Sequence, residues 1–402
     1  MSRNRQCPLC GKYDPELLVA LSFAQNHNAI LPNEYRIVLC CGCGFVYDDV
    51  AVGSDVFKKY YAQLGKYVQS GTGGSGDVSP VDRLRYESII KFVEPALKQK
   101  SVAIADIGCG KGGLLRIFKE QGYSSLHGFD ASKGCMDILR DEFGIPATCV
   151  EIAALPMSIS QRFDLVVVSN VFEHLYTIHD AIDSIDKLLK SDGFVYVDVP
   201  DGSRYHEHFY APYYSFDMEH INHFNVDTMT VAWKQHGYHC IKSEMLVGTP
   251  VPGRSIPMCR MLLRKMKPTD DVRPGPFHSP VSGIRRFINM SQDAEKRLQD
   301  ANIPVGSCYW GCGAYAKWML SRYADFPLGN PALIIDTGVK KNISETINDI
   351  RIVNPSELKA LVGMQGSVII TSVLYERQIL QQLMRMHWEG SIYSGSTGKK
   401  IH

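Results

Sequence analysis

One stretch of the chain, SVAIADIGCGKGGLLRIFKEQGY at residues 101–123, constrains the fold most strongly. The apolar run from Val102 to Ile107 predicts a buried strand, and the amphipathic stretch after Gly113 predicts a helix. The glycines between them permit a tight turn and a close approach of the backbone to a ligand at the helix N-terminus. The order of strand, glycine loop and helix predicts a ligand-binding α/β domain.

Carboxylates follow the first two predicted strands and indicate the kind of ligand. Asp106 ends the first strand, just before Gly108 and Gly110. The order D-x-G-C-G is not the G-x-G-x-x-G of a dinucleotide site, and a carboxylate there suits an amine-bearing or cationic ligand better than a diphosphate. The second strand, in LHGFDAS, ends at Asp130, whose carboxylate can accept both ribose hydroxyls of an adenosine.

Strands and helices then alternate along the chain. The apolar segments are ATCVEIAALP, FDLVVVSNVFEHL and GFVYVDVP. Alternation of this kind predicts an α/β fold with a doubly wound, largely parallel sheet.

The segments ADIGCGKGG, GFDAS and FDLVVVSNVFEHL, in this order, resemble the class I S-adenosylmethionine-dependent methyltransferases over roughly residues 85–245. The resemblance implies a Rossmann-like sheet and S-adenosyl-L-methionine as cofactor. It also implies the cofactor contacts: Gly108 and Gly110 along the methionine part with Asp106 near its amine, Asp130 at the ribose, Ile152 and Ala153 beside the adenine, and Asn170 and Val171 beneath the sulfonium.

Cysteine pairs near the N-terminus predict a structural zinc site. Cys7 and Cys10 form one C-x-x-C pair, and Cys40 and Cys43 form a second. Two such pairs in glycine-containing turns supply the four thiolates of a closed tetrahedral site. Cys41 is an alternative ligand to Cys40, and free thiols are the alternative to metal binding.

Length and charge limit the remaining choices. A chain of 402 residues predicts two or three domains, and a formal net charge of +1 provides no basic field for nucleic acid. The polar start and the lack of an apolar run of roughly 20 residues predict a cytoplasmic protein without a membrane segment. We place the domains at 1–80 (zinc module and irregular aromatic loop), 81–248 (cofactor domain) and 249–402.

The last third predicts a smaller α/β domain after a partly exposed connection at residues 249–280. Its segments are VGSCYWGCGAYAKWML, PALIIDTGVKKN and GSVIITSVLYERQILQQLM. The first contains a glycine turn before a helix, which either holds a substrate phosphate at the helix N-terminus or merely permits tight packing.

These C-terminal motifs, G-x-G-A-x-x-K, I-D-x-x-x-x-K and T-S-x-x-Y-E-R-Q-I, resemble the C-terminal domain of the three-domain deoxysugar C-methyltransferases, which also begin with a four-cysteine zinc module. The resemblance implies a nucleoside-diphosphate-linked 4-keto-deoxysugar as substrate, usually methylated at carbon 3. The C-terminal domain then binds the sugar nucleotide. We expect a small-molecule substrate, no nucleic acid, and a monomer or homodimer.

The segment MEHINHFN at 218–225 matches the Glu-His pair of that family. Histidine suits removal of the proton beside a ketone at neutral pH, so His220 is the expected general base, with Glu219 orienting its ring. By the same resemblance a tyrosine before the cofactor domain stabilises the enolate, Tyr67 first and Tyr61 second. His174 is expected either to contact the substrate or to pack on its helix.

Other interpretations stay open. His223 stands where the family commonly has an aromatic residue, so the acceptor pocket and the choice between C- and O-methylation are in question. O-methylation of a sugar or polysaccharide precursor and non-catalytic sugar-nucleotide binding are the alternative functions. A metal site of His220 and His223, joined by His206 or His208, and a purely structural role for Glu219 and His220 are the alternatives for the histidines.

Overall fold

The computed structural model describes residues 5–25, 29–63, 76–155, 160–251, 253–266, 277–339, 345–363 and 365–402. The strands are β1 (Pro15–Ser22), β2 (Glu34–Cys40), β3 (Val46–Asp49), β4 (Ala103–Ile107), β5 (Ser125–Asp130), β6 (Ala147–Cys149), β7 (Phe163–Ser169), β8 (Leu189–Pro200), β9 (Asn222–His223), β10 (Tyr238–Val251), β11 (Arg254–Lys265), β12 (Cys308–Trp310), β13 (Ile334–Ile335), β14 (Glu345–Ile347), β15 (Ile350–Val353), β16 (Val368–Ile370) and β17 (Ile392–Ser394). The helices are α1 (Ser54–Gln63), α2 (Pro80–Val93), α3 (Gly113–Glu120), α4 (Lys133–Asp141), α5 (Ile178–Leu188), α6 (Val226–Lys234), α7 (Val281–Gln299), α8 (Ala314–Arg322), α9 (Leu358–Val362) and α10 (Glu376–Arg385).

The central sheet has the strand order β10-β11-β8-β7-β4-β5-β6. The five strands from β8 to β6 are parallel, whereas β11 runs antiparallel to both of its neighbours, β8 and β10. All residues of β4 are buried, as a parallel strand covered on both faces requires. The predicted α/β fold with a largely parallel sheet is therefore confirmed.

The N-terminal sheet is antiparallel and has the order β1-β2-β3-β9. Its last strand comes from the central part of the chain, since Val46 pairs with His223 and Tyr47 with Asn222. This pairing joins the N-terminal module to the segment that carries Glu219 and His220.

The structure corrects two organisational predictions. Residues 50–80 were predicted to be irregular, but residues 54–63 form α1. Residues 249–280 were predicted to be a partly exposed connection, but residues 254–265 form β11, which lies between β10 and β8 and is largely buried. The predicted domain boundary at residue 248 thus falls inside β10. The next strand, β11, still belongs to the central sheet, because its apolar side chains complete the core of that sheet.

The C-terminal sheet has the order β14-β15-β13-β12-β16-β17 and is parallel except for β14. Helix α7 leads into it and packs against the 3₁₀ helix at Gly202–His208. A Cβ atom added at Gly283 would lie 1.8 Å from the carbonyl oxygen of Ser203, so this close packing requires glycine. Within the described part of the chain, no helix combines the length and the apolar character that membrane crossing requires.

Candidate functional site

A cavity of about 210 Å³ lies at the carboxyl ends of the central parallel strands, between them and helix α1. Ligands of open parallel sheets bind at this edge. The cavity is lined by most of the residues that the sequence predicts as cofactor contacts: Gly108, Gly110, Asp130, Ile152, Ala153, Asn170 and Val171. The structure therefore brings together residues that end or follow four successive strands, β4 to β7.

Asp130 is held at the cavity by backbone donors. Its Oδ2 atom accepts a hydrogen bond from the Gly110 amide at 2.9 Å, and its Oδ1 atom accepts one from the Ser132 amide at 2.8 Å. Burial raises the pKa of Asp130, and these hydrogen bonds oppose that shift. Each carboxylate oxygen has a second lone pair, which remains available to a ligand hydroxyl.

The backbone around the cavity requires unusual conformations. Gly108 has a φ of +70°, and a Cβ atom added to it would lie 2.5 Å from Cγ2 of Val171. Asn170 has a φ of 53°, a left-handed conformation that asparagine tolerates better than most residues. The Asn170 amide donates to Oδ1 of Asp198 at 3.0 Å, which holds this turn in place.

Asp106, at the end of β4, is not among the residues that line the cavity. Its side chain is buried, and burial raises its pKa to about 8. Arg85 opposes this shift, whereas Asp130 and Asp198 add to it. The expected place of Asp106 near a cofactor amine stays a prediction.

A second, larger cavity of about 610 Å³ lies between the central and C-terminal parts. Its lining includes Tyr60 of α1, the segment 212–220, and the glycine turn before α8. Glu219 and His220 both line this cavity, as does Tyr375. We call it the acceptor cavity, and the first one the cofactor cavity.

The two predicted catalytic residues in the acceptor cavity have different partners. Glu219 Oε1 accepts a hydrogen bond from the Tyr60 hydroxyl at 2.8 Å. Asp217 Oδ2 lies 3.9 Å from Nδ1 of His220, and Asp217 Oδ1 accepts the amides of Glu219 and His220 at 2.8 Å. Asp217 was missed from the sequence, and its position before the Glu-His pair was the available signal.

Desolvation raises the pKa of Asp217, but the charge of His220 and the two amide hydrogen bonds outweigh it. The pKa of Asp217 consequently lies below its ordinary value. A carboxylate that stays ionised at neutral pH therefore faces the His220 ring.

His174 lies at the boundary between the two cavities. It lines the cofactor cavity, and its ring centroid is 4.7 Å from that of His220 in the acceptor cavity. Its Nδ1 atom lies 3.1 Å from the Tyr61 hydroxyl and 3.0 Å from the carbonyl oxygen of Glu219. Burial, and then the charge of His220, lower the pKa of His174 to about 4, so its ring is neutral at physiological pH.

Glu173 is the second acidic residue that sequence reasoning missed. Its side chain is only 2% exposed, and its Oε2 atom has no hydrogen-bond partner among the residues that the structure describes. Burial raises its pKa to about 7, while the charge of His220 opposes the shift. Its place beside His174 in SNVFEHL gave no signal by itself, because the sequence does not show that this turn is buried.

Tyrosines of α1 reach both cavities. Tyr61, the second candidate for the enolate-stabilising tyrosine, contacts His174. Tyr60, which was not predicted, contacts Glu219. Tyr67, the first candidate for that role, lies outside the described residues.

The predicted zinc ligands lie together. The sulfur atoms of Cys7, Cys10, Cys40 and Cys43 are all within 4.8 Å of one another. The Cys7–Cys43 and Cys10–Cys40 distances are 3.6 Å, close to the roughly 3.8 Å between sulfurs that tetrahedral Zn–S bonds of 2.3 Å imply. Cys41 is exposed and is not in the cluster. These residues fit a structural zinc ion.

Each cysteine pair sits in a turn that a left-handed glycine closes. The Gly11 amide donates to the Cys7 carbonyl, and the Gly44 amide donates to the Cys40 carbonyl, both at 2.8 Å. The φ angles of the two glycines are 72° and 74°. The turns thus point two sulfurs each toward one centre without strain.

His223 is not part of the acceptor cavity. Its side chain is fully buried, with Nε2 3.0 Å from Oδ1 of Asp48 and Nδ1 3.3 Å from the Tyr205 hydroxyl. His223 therefore does not line the acceptor cavity, and whether its replacement of the family's aromatic residue changes that cavity stays open. The proposed metal pairing of His220 with His223 is not supported either, since the metal-ligand cluster around His220 contains Glu173 and His174.

Comparison with known protein families identifies the kind of domain that the central sheet belongs to. A family model described as a methyltransferase domain matches residues 81–243, which is less than half of the chain. Together with the glycine loop and Asp130 at adjacent strand ends, this match identifies a class I S-adenosylmethionine-dependent methyltransferase domain.

Among curated proteins, the chain is similar to ubiquinone biosynthesis O-methyltransferases of several strains of Coxiella burnetii. The similarity to that of strain RSA 493 / Nine Mile phase I is 23% identity over 144 residues, which is 35% of this chain and 60% of the relative. The match therefore spans less than two thirds of the length of these relatives.

The chain is also similar to solved structures, at low identity and low TM-score. One is a 1,6-didemethyltoxoflavin-N1-methyltransferase from Burkholderia thailandensis with bound S-adenosylhomocysteine, with a TM-score of 0.42, 15% identity, and coverage of 63% of this chain and all of that one. Another is an S-adenosylmethionine-dependent methyltransferase from Mesorhizobium loti, with a TM-score of 0.35, 17% identity, and coverage of 44% and 96%.

Proposed function

We propose that the protein is an S-adenosylmethionine-dependent C-methyltransferase that acts on a nucleotide-linked 4-keto-deoxysugar, with His220 as general base. The observation that carries this proposal is the contact between His174 and His220, which lie on the cofactor and acceptor cavities respectively. A methyl donor in one cavity and a base in the other would then meet at this boundary.

The cofactor cavity suits S-adenosylmethionine through its residue types. Asp130 is the acceptor for the ribose hydroxyls, and the loop at Gly108 and Gly110 admits the methionine part close to the backbone. Ile152 and Ala153 offer an apolar wall to the adenine. S-adenosylmethionine supplies an electrophilic methyl group when bound, and the residues of this chain orient it and exclude water.

His220 suits the proton removal that C-methylation needs. The hydrogen on a carbon next to a ketone is weakly acidic, and a positioned histidine removes such a proton near neutral pH. The carboxylate of Asp217, 3.9 Å from Nδ1, would stabilise the imidazolium that forms. This assigns to Asp217 the ring-supporting role that the sequence suggested for Glu219.

Glu219 and Tyr60 form a hydrogen-bonded pair on the same cavity wall. We assign them to substrate placement: the single hydroxyl proton of Tyr60, donated to Glu219 in the free protein, would turn to the enolate oxygen when the substrate binds. Burial raises the pKa of Tyr60 above its ordinary value, so the hydroxyl keeps its proton at neutral pH.

The size and far wall of the acceptor cavity suit a nucleotide-linked sugar. The turn at Cys312–Ala314 opens helix α8 into the cavity, and a helix N-terminus favours phosphate. Tyr315 and Trp318 stack with their ring centroids 5.5 Å apart and also line it, which offers an aromatic surface to a base. We propose that the diphosphate binds at the turn and the sugar extends toward His220.

In this proposal the four N-terminal cysteines hold a structural Zn²⁺ ion. With four thiolates the coordination sphere is closed, so the ion would support the module and take no part in methyl transfer.

O-methylation of a sugar or polysaccharide precursor is the second candidate, favoured by the names of the curated O-methyltransferase relatives. It needs a base beside a hydroxyl, and His220 would serve there too. The two reactions differ because only C-methylation requires a carbanion beside a ketone.

Mass spectrometry in deuterated buffer separates the two reactions. The full chain is incubated with nucleotide-linked 4-keto-6-deoxysugars, first without and then with S-adenosylmethionine. We expect deuterium exchange at the carbon beside the ketone, followed by the gain of one methyl group. His220→Gln should slow both by at least about 100-fold, the usual contribution of a general base, while the exposed His278→Gln control should change neither.

Other outcomes are also informative. Methyl gain on a sugar without a keto group, with no exchange, would favour O-methylation. Failure of S-adenosylmethionine to bind in a titration would favour a sugar-nucleotide-binding protein without catalysis.

A further inference from the structure

A group of three metal-ligand side chains lies at the boundary between the two cavities. Glu173, His174 and His220 each offer one donor atom within 4.8 Å of the other two. We propose that these residues hold a divalent transition-metal ion, and that this ion and the proton removal by His220 exclude each other.

The tautomer of His174 suits a metal ligand. Its Nδ1 atom lies 3.0 Å from the carbonyl oxygen of Glu219, and a carbonyl only accepts hydrogen bonds. The proton of the neutral ring is therefore on Nδ1, which leaves the lone pair on Nε2. Nε2 faces Glu173, with 3.9 Å to Oε1. Donation of the second ring N–H to a backbone carbonyl is the usual support of a metal-bound histidine.

Glu173 supplies an independent reason for a cation. Its side chain is almost entirely buried, and within the described part of the chain Oε2 has no hydrogen-bond partner. A buried carboxylate oxygen that lacks a donor is unfavourable, and a bound cation removes this deficit. The carboxylate of Glu173 thus has one oxygen, Oε1, near Nε2 of His174 and a second oxygen, Oε2, that a cation could satisfy.

The donor set selects the class of ion. Two imidazoles and one carboxylate suit Zn²⁺, Co²⁺, Ni²⁺ and Fe²⁺, whereas Mg²⁺ and Ca²⁺ prefer oxygen donors alone. Three protein ligands leave at least one coordination position open. The group differs from the cysteine cluster in both ligand type and place, so two chemically distinct sites result.

Occupancy has a consequence for the reaction. A metal ion bound to His220 takes the nitrogen lone pair that a general base needs. Transition-metal ions are therefore expected to inhibit methyl transfer, an expectation that rests on the proposed function. The binding of the ion does not rest on it.

To test the site, the cysteine cluster of the full chain is first loaded with Zn²⁺. The protein is then titrated with Co²⁺. We expect one added equivalent of Co²⁺, with the visible ligand-field absorption of nitrogen and oxygen ligands and without thiolate-to-cobalt charge transfer. Glu173→Gln should weaken this binding at least tenfold, because it replaces the charged donor by an amide of the same shape. Glu207→Gln, which changes an exposed carboxylate paired with Arg204, should leave it unchanged.

Lack of Co²⁺ binding beyond the cysteine cluster, or equal binding by the Glu173→Gln variant, would overturn the metal site. Methyl transfer measured on the same samples keeps the two proposals apart. If the protein binds Co²⁺ in the titration but transfers no methyl group when assayed without added metal, the proposed function alone is contradicted. Methyl transfer without Co²⁺ binding would contradict the metal site alone.

Discussion

His223 and Asp48 form a buried pair, with 3.0 Å between Nε2 and Oδ1, that joins the central part of the chain to the N-terminal sheet. Asp48 lies on β3 and His223 lies on β9, and these two strands pair antiparallel, with His223 opposite Val46. Because Glu219 and His220 lie just before β9, this pair anchors the segment that carries the candidate base.

Loss of one partner of this pair should destabilise the protein strongly. We expect Asp48→Ala to lower the free energy of unfolding by about 3–5 kcal/mol, because it leaves a buried imidazole without its partner. Denaturant unfolding measures the change. Asp227→Ala removes the partner of the exposed His278 and should change the free energy by less than about 1 kcal/mol. Equal effects of the two variants would contradict the anchoring role.

Gly108→Ala should reduce the affinity for S-adenosylmethionine by at least tenfold. The added Cβ atom would lie 2.5 Å from Val171, so the loop or Asn170–Val171 must move away from the cofactor cavity. Gly122→Ala is the matched control, because Gly122 has a φ of +90° but no atom within 4 Å of an added Cβ. It should lower stability by about 1 kcal/mol through backbone strain and leave the affinity unchanged. Isothermal titration calorimetry distinguishes the two.

Cys7→Ser should release the metal ion and lower the melting temperature of the N-terminal module, because a small module depends on its metal staple. Elemental analysis should find about one zinc per chain in the unaltered protein and in Cys41→Ser, which changes an exposed cysteine outside the cluster. Retention of a full equivalent of zinc by Cys7→Ser would contradict the four-cysteine site.

Asp106 should make the protein less stable as pH rises. Burial raises its pKa to about 8 in the folded state, so the folded chain binds more protons than the unfolded chain between about pH 4 and pH 8. Stability from this group is complete below pH 4 and is lost as pH rises toward 8. The loss is about 1.4 kcal/mol per pH unit within that window.

Denaturant unfolding of the unaltered protein and of Asp106→Asn at pH 6 and pH 8 tests this dependence. The variant should lose about 2–3 kcal/mol less stability than the unaltered protein over the two units. Parallel pH profiles would show that Asp106 ionises normally in the fold.

The acceptor cavity shows where sequence reasoning failed. Glu219 and His220 attracted attention because they are adjacent, but the partners of each, Tyr60 and Asp217, follow from how α1 and the segment before β9 pack. Glu173 was overlooked because an acidic residue after a strand is ordinary in a sequence. Only burial and its unpartnered oxygen make it exceptional.

The sequence by itself determined the features that depend on local order: the α/β alternation, the glycine loop at Gly108, the acid at the end of β5, and the paired cysteines. Each of these features depends on the spacing of residues only a few positions apart, which determines the local backbone conformation and the side chains that lie together. The tertiary structure alone decided that β11 belongs to the central sheet, that β9 completes the N-terminal one, and that His174 meets His220. These contacts join residues 46 or more positions apart, and they depend on which apolar surfaces cover one another, which no local pattern encodes.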